Sequence, residues 1–301
     1  MIADRLPRIS VVTPSLNAGR TIERTLRSIE QQCYPELQLI CVDGESTDGT
    51  METISRYAHI VSECIRSKDK NAADAINKGF QRADGDIYCY LNADDEFAPG
   101  ALNRVASIFS REPDIDVITG SCLRVFADGS RTVTKVPADF LKVLSMRNDI
   151  EQPSTFWRAG VHRRLGPLDD TYSLAFDWEW WNRLHTAGVR FKTTDDVLSI
   201  YHFSDDNLTS RGGERVINEM YRVTKKYGPF SGYIADVYWL LYRMFDMRGY
   251  YDGPFHNLTW SKRVAFGAAL KLLYAVFGQR PINSYNWNWA SKQVRGLVWY
   301  K

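Results

Sequence analysis

The chain has 301 residues, 44% of them hydrophobic and 25% charged, with a net charge of +2, a balance that supports a sizeable core and excludes a disordered or fibrous protein. Its five cysteines are scattered without paired metal-type spacing, which argues against a disulfide framework and for reduced, mostly structural thiols. The N-terminal residues 1–8 hold charges and a proline where a secretory leader needs an apolar stretch, so the main body is expected to face the cytoplasm.

In chain order, residues 9–13 read as a first strand, and Ile22, Leu26 and Ile29 fall at helical spacing before Pro35 closes that segment. Residues 37–42 form a second strand that ends in a turn-rich loop, 43–50, followed by a helix over 51–57. A third strand is expected over 59–65, a helix over 72–80 with Gly79 near its end, and a fourth strand over 87–91. Short apolar runs alternating with amphipathic stretches are the pattern of βα units feeding a parallel sheet.

Pro99-Gly100 opens another helix running to about Ser110. Residues 117–119 and 123–126 read as strands, with Asp128-Gly129 as a hairpin turn before 131–136. A helix is expected over 138–146, a short strand over 155–157, a helix over 178–187 and a late strand over 197–203. From Gly212 the pattern turns helical, so the expected division is a catalytic domain over 1–210 and a helical extension over 211–301.

Residues 211–301 carry 14 lysines and arginines against 5 acids, so this tail is +9 while the rest of the chain is −7. The tail also holds Trp239, Trp260, Trp287, Trp289 and Trp299, and basic aromatic segments commonly meet anionic lipid headgroups. Its two apolar stretches, 233–245 and 264–277, are interrupted by Asp236, Arg243 and Lys271, too short for a spanning helix. They either lie in the plane of a membrane surface or pack on protein.

The residues that carry chemistry stand where strands end. Asn92-Ala93-Asp94-Asp95 follows the apolar run of the fourth strand, and the carboxyl ends of strands in an open α/β sheet line the ligand crevice. Hard oxygen donors there suit Mg²⁺ or Mn²⁺ clamped onto a diphosphate. Thr13, Pro14, Ser15 and Asn17 stand at the exit of the first strand, where small hydroxyls and the backbone N–H groups of all but Pro14 can edge a nucleoside; Asn17 is alternatively a helix cap. Asp43 ends the second strand, where a carboxylate can accept hydrogen bonds from the imide N–H of uracil or from ribose hydroxyls. Lys68, Asp69 and Asp74 form a charged cluster of the kind that is usually a solvated face.

Five pieces in order, Thr13-Pro14-Ser15-Leu16-Asn17, the loop 43–50, Asp74-Ala75-Ile76-Asn77-Lys78-Gly79, Asn92-Ala93-Asp94-Asp95 and Asp177-Trp178-Glu179, resemble the family 2 glycosyltransferases over roughly residues 8–203. The resemblance implies a GT-A fold, an α/β architecture with a Rossmann-like, mostly parallel central sheet flanked by helices, here with a C-terminal helical extension. It implies that Asp43 contacts the nucleoside and that Asp74 borders the donor. Many relatives have a second aspartate where this chain has Gly44.

Because the first acidic position of the usual Asp-x-Asp is Asn92, suited to ribose or a metal-bound water, Asp94 becomes the main metal ligand and Asp95 holds the sugar or orients Asp94. His202 resembles the histidine that many GT-A enzymes bring to the metal, although a histidine at a strand end is as readily structural. Asp177 is the candidate base for the acceptor hydroxyl, with a second role as helix N-cap, and Glu179 is the next choice. Of Trp178, Trp180 and Trp181, at least one is expected in the core and another beside the acceptor, and Arg158 is expected to meet an anionic acceptor or a surface carboxylate.

The implied activity is metal-dependent, inverting transfer of a sugar from a nucleoside diphosphate, UDP favoured, to a saccharide or lipid-linked hydroxyl acceptor in cell-surface polysaccharide or glycolipid synthesis. Partners are then the donor, the acceptor and a membrane surface, with no nucleic acid. A nucleotidyltransferase shares the crevice and metal but needs a Gly-rich basic loop after the first strand, for which Asn17-Ala18-Gly19-Arg20 is short. A catalytically silent nucleotide-sugar binder is the remaining alternative.

Overall fold

The computed structural model describes residues 6–203, 213–228, 232, 235–236, 239–240 and 260–277. Two compact units emerge, one of residues 1–138 with 150–204, the other of 139–149 with 205–301.

The first unit is built on a nine-stranded sheet with helices against it. Its N-terminal half alternates strand and helix: β1 (Ile9–Ser15), α1 (Ile22–Glu30), β2 (Leu37–Asp43), α2 (Thr50–Arg56), β3 (Val61–Arg66), α3 (Ala72–Phe80) and β4 (Ile87–Tyr90). β3, β2, β1 and β4 lie side by side and parallel. β1 and β4 are buried throughout and β2 almost so, as strands covered on both faces are, whereas β3 alternates between half-buried and exposed residues. α3 sits so close on β1 that a Cβ on Gly79 would come within 2.4 Å of Val12 Cγ1.

The later elements are β5 (Glu96–Phe97), α4 (Ala101–Arg111), β6 (Val117–Val125), β7 (Arg131–Thr134), β8 (Thr155–Arg158), α5 (Ala159–Leu165), α6 (Phe176–Thr186) and β9 (Phe191–His202). The sheet continues from β4 through antiparallel β8 to β6, β9 and β5, with β7 paired to β6. One aromatic cluster lies under this half. Trp157 meets Trp180 and Trp181 edge-on at 6.1 and 5.7 Å, and His162 packs against Phe80, Tyr88 and Trp180.

The GT-A-type α/β architecture expected from the sequence is present, with local corrections. The two strands expected over 117–126 are one strand, β6, whose register with β9 shifts around Gly120, where Leu198 would touch an added Cβ at 2.5 Å. β9 begins at Phe191, well before the expected 197. The helix expected over 138–146 contracts to a single 3₁₀ turn, Phe140–Lys142.

In the second unit, α7 (Gly213–Tyr227) carries Tyr221 and Lys225, which both bond the Asp236 carboxylate. α8 (Trp260–Phe277) exposes Trp260, Leu272 and Val276. No described helix is long and apolar enough to cross a membrane. Most of the apolar stretch 233–245 and Trp287, Trp289 and Trp299 lie outside the described residues.

Candidate active site

At the carboxyl ends of β1 and β2, two loops are stitched together by their own polar groups. Asn17, at φ 50°, accepts a hydrogen bond from the Thr47 N–H at 2.9 Å, and its N–H donates to Ser46 Oγ at 2.8 Å. Left-handed backbone is tolerated by asparagine better than by most residues, which suits it to this corner. The helix begins only at Ile22, so Asn17 is a clasp between loops and not its cap. Asp48 accepts from the N–H groups of Gly19 and Thr50 and from the Thr50 hydroxyl, bonds that hold its carboxyl below the usual range.

Asp43 is fully buried and is already engaged, accepting from the Ser46 N–H at 2.9 Å, Ser46 Oγ at 2.5 Å and Ser15 Oγ at 3.4 Å. Thr13 and Pro14 are buried within β1, opposite Cys41 and Val42 of β2. Asp74 stands in the first turn of α3, accepting from the Lys70 N–H at 3.0 Å and pairing with Lys78 at 3.3 Å. The rest of its motif also has visible work: Asn77 donates to Leu168 O and accepts from Leu168 N–H, both at 2.9 Å, pinning the loop that leads to α6.

The acidic segment after β4 is held chiefly through its main chain by one face of α1. Arg24 Nη2 donates to Asp94 O at 2.8 Å, Thr25 Oγ1 to Asp95 O at 2.7 Å, and Gln32 Nε2 to Ala98 O at 3.1 Å, while Ser28 Oγ accepts from Phe97 N–H at 3.1 Å. Residues 24, 25 and 28 share one face of α1 and Gln32 follows in the turn after it; Thr25, Ser28 and Gln32 are buried. From the other side Gln152 donates to Tyr90 O at 2.7 Å and accepts from the Asn92 amide at 3.4 Å.

Asp94 is partly exposed and Asp95 is fully buried. Burial raises the Asp94 carboxyl above the usual range against the opposing pull of Arg24 and His202. Burial, then the adjacent Asp94 charge, pushes Asp95 well above that range. His202, at the end of β9, sits within the field of Asp94, and its Nε2 lies 2.6 Å from Glu96 Oε1. Ala93 is buried in the turn between Asn92 and Asp94.

Asp177 reaches the same region from α6. Phe176, its neighbour in the chain, packs on the buried Tyr90 at 6.0 Å between ring centroids, and the Tyr90 hydroxyl is raised first by burial and then by the charges of Asp177 and Asp95. The helix starts at Phe176 with Ala175 as its cap, so Asp177 lies inside the first turn and its Oδ1 accepts from the Trp178 N–H at 2.6 Å. Glu179 is buried and paired with Arg183 at 3.1 Å. Trp178, Trp180 and Trp181 are all buried, so none of the three is presented to an acceptor. Arg158 donates to the carbonyls of Phe109, Glu112 and Ile115 near the end of α4 and stacks on Phe109, with Asp116 and Asp86 in its field.

The structure therefore brings Asn92, Asp94, Asp95, His202 and Asp177 to one region and Ser15, Asn17 and Asp43 to another at the same sheet margin, while Asp74 remains behind Lys78. Sequence reasoning missed Arg24 and Glu96. Glu96 carried a signal, as the third acid of Asp94-Asp95-Glu96, whereas Arg24 belongs to no motif; Gln152 opens a segment, 152–158, that resembles the strand relatives place beneath the acceptor.

Among the described residues no group of three or more His, Cys, Asp or Glu side chains is arranged to hold a metal. The available donors are the Asp94 carboxylate and the His202 imidazole. A hard divalent ion keeps several waters and takes one or two carboxylates plus phosphate oxygens, so this sparse set fits Mg²⁺ or Mn²⁺ bound together with a diphosphate.

A family model described as "Glycosyl transferase family 2" matches residues 10–161. A "PGL/p-HBAD biosynthesis glycosyltransferase" of Mycobacterium tuberculosis is 29% identical over 178 residues, 58% of this chain and 68% of the relative. Among solved structures, S. aureus TarS 1–349 in complex with UDP-GlcNAc is similar with a TM-score of 0.59 at 14% identity, over 96% of this chain and 89% of that one. The chain spans 54% of the longer TarS chain. The mannosyltransferase PcManGT from Pyrobaculum calidifontis, in complex with GDP-Man and Mn²⁺, is similar with a TM-score of 0.56 at 18% identity, over 97% of this chain and 87% of that one.

Proposed function

The chain belongs to glycosyl transferase family 2, and from that premise we propose that it transfers a sugar from a UDP-sugar to a hydroxyl acceptor in one inverting displacement that depends on a divalent cation. The observation that carries this reading is that the start of α6 meets the exit of β4, Phe176 packing on Tyr90 at 6.0 Å, so that Asp177 and Asp95, the neighbour of Asp94, both act on the buried Tyr90. Membership in a glycosyltransferase family leaves no support for the nucleotidyltransferase alternative.

In this reading Asp177 takes the proton from the acceptor hydroxyl as its oxygen attacks the anomeric carbon. The bond from that carbon to the diphosphate breaks, and its electron pair departs with the diphosphate. Asp94, with His202 beside it, would hold Mg²⁺ or Mn²⁺, which when bound supplies positive charge against the departing diphosphate. Ser15, Asn17 and Asp43 border the nucleoside, Asn92 and Asp95 the ribose and sugar, and Asp74 buttresses the donor side through Lys78. The complexes of TarS with UDP-GlcNAc and of PcManGT with GDP-Man and Mn²⁺ support a nucleotide-sugar donor and a metal.

The acceptor is a saccharide or lipid-linked hydroxyl in cell-surface polysaccharide or glycolipid assembly, at the cytoplasmic face of a membrane. The +9 charge of residues 211–301 and the exposed Trp260, Leu272 and Val276 on α8 support that location. The deciding experiment is release of UDP from UDP-sugars with and without Mn²⁺, in the native protein and in Asp94→Asn. Cation-dependent release that Asp94→Asn abolishes is expected; indifference to both cation and sugar nucleotide would overturn the reading. For the membrane, sedimentation with phosphatidylglycerol vesicles, absent with phosphatidylcholine and lost in Leu272→Glu/Val276→Glu, is the expected result.

A further inference from the structure

Between α5 and α6 runs a strap, residues 166–175, that leads into the helical turn where Asp177 stands. Its beginning is tied to α6 itself, since Arg183 Nη1 donates to Leu165 O at 3.0 Å and Nη2 to Pro167 O at 2.8 Å. Its middle is tied to α3, a helix distant in sequence. Asn77 makes a two-way bond with the Leu168 main chain, donating to its carbonyl and accepting from its N–H, both at 2.9 Å. Asn71, which caps α3 by accepting from the Asp74 N–H at 3.1 Å, donates through Nδ2 to Asp170 O at 2.8 Å. Lys70 Nζ pairs with the Asp170 carboxylate at 2.8 Å, an exposed contact that adds little by itself.

The bond at Asn77 is specific to its side chain. A carboxamide presents one donor and one acceptor to the N–H and carbonyl of a single residue, whereas a carboxylate can only accept. Leu168 is buried, so its main-chain groups need partners, and Asn77 supplies one to each. The helix behind these ties is itself firmly seated, with Gly79 directly against Val12 of β1. It also carries Asp74 and Lys78, on the donor side of the site. Buried Trp180 and Trp181 anchor the body of α6 in the core, while the strap before its first turn is registered to the sheet through α3.

We infer that Asn77, together with Asn71, is a positioning residue for Asp177, and that α3 is a common mount for the donor side of the site and for the strap that sets where the base stands. This inference rests on the reading of Asp177 as the base given above. It gives the asparagine of Asp74-Ala75-Ile76-Asn77-Lys78-Gly79 a part in placing the base and none in holding the donor.

The test is a double-mutant cycle on the full chain, with the native protein, Asn77→Ala, Asp177→Asn and the pair compared. Each is measured for UDP release, under single turnover with Mn²⁺ and water as acceptor, from the UDP-sugar that the native protein hydrolyses fastest. Titration calorimetry gives UDP affinity. Asn77→Ala is expected to slow release by about 10-fold to 100-fold with UDP affinity unchanged. In the Asp177→Asn background the same substitution is expected to change the rate by less than about 2-fold, because a residue that acts only through the base has nothing left to act on. Amide hydrogen exchange over residues 168–176 is expected to quicken in Asn77→Ala. Asn77→Asp, which keeps the bond from Leu168 N–H and loses the donated one, is expected to slow release less; it replaces Asn77→Ala in the cycle if circular dichroism shows that variant unfolded. Equal slowing in both backgrounds, an unchanged rate in Asn77→Ala, or a matching loss of UDP affinity would overturn the positioning role and leave the nucleotide-sugar reading standing. A native protein that hydrolyses no UDP-sugar would overturn both.

Discussion

Arg24 grips Asp94 by its backbone: Nη2 donates to the Asp94 carbonyl at 2.8 Å while Nε lies 3.2 Å from the Glu96 carboxylate, so one side chain fixes the residues on both sides of Asp95. It also sets positive charge beside an Asp94 carboxyl that burial would otherwise drive further toward protonation. Arg24→Ala is expected to lower kcat/KM by about 10-fold to 100-fold through misplacement of the acidic turn, with a stability loss of about 1–2 kcal/mol. Steady-state kinetics beside urea denaturation separates these effects.

Asp177 and Glu179 are two residues apart on α6 and have different surroundings. Asp177→Asn is expected to reduce kcat by about 100-fold or more with UDP affinity unchanged. Glu179→Gln, which removes the buried charge facing Arg183, is expected to cost about 1–3 kcal/mol of stability and to leave the pH profile of kcat in place. Full activity in Asp177→Asn would remove it as the base.

His162 is buried against Phe80, Tyr88, Trp157 and Trp180, and burial, then Arg183 and Arg163, lowers its pKa from 6.5 to about 4. The folded state therefore resists a proton that the unfolded chain accepts. Stability from neutral His162 is complete above pH 6.5 and is lost progressively as pH falls towards 4, by up to ~3 kcal/mol. His162→Leu should flatten that part of the profile, measured as denaturation midpoints between those two pH values.

Gly79 has no room for a side chain, because an added Cβ would lie 2.4 Å from Val12 Cγ1. Gly79→Ala must push α3 off β1 and is expected to cost about 1–3 kcal/mol, read from urea denaturation. Val12→Ala in the same chain should recover part of that loss, since it removes the methyl that the new Cβ strikes.

How far the sequence could be read depended on whether a signal was local. β1, β2 and β4 are apolar-rich and almost wholly buried because helices cover both faces of the sheet, and such runs announce themselves. β6 read as two strands because Gly120-Ser121 looks like an ending; there the glycine admits Leu198 and the register slips without the strand stopping. The first residues of β9, including Lys192, Asp195 and Asp196, are too polar to declare a strand, and β5 has two residues.

At the site, residues in runs such as Asn92-Ala93-Asp94-Asp95 were recoverable. Partners delivered by distant elements were not. Thr25, Ser28 and Gln32 resemble a solvent-facing helix side until the acidic segment is laid across them, and the Glu96 carboxylate meets His202 only after β5 pairs with β9.

The grip of α1 on the acidic segment falls almost wholly on carbonyls and N–H groups, which every amino acid supplies. The turn is thus a socket whose shape does not depend on what is plugged into it. Substitutions at 94 and 95 are therefore expected to change the chemistry the turn offers more than the path of its backbone.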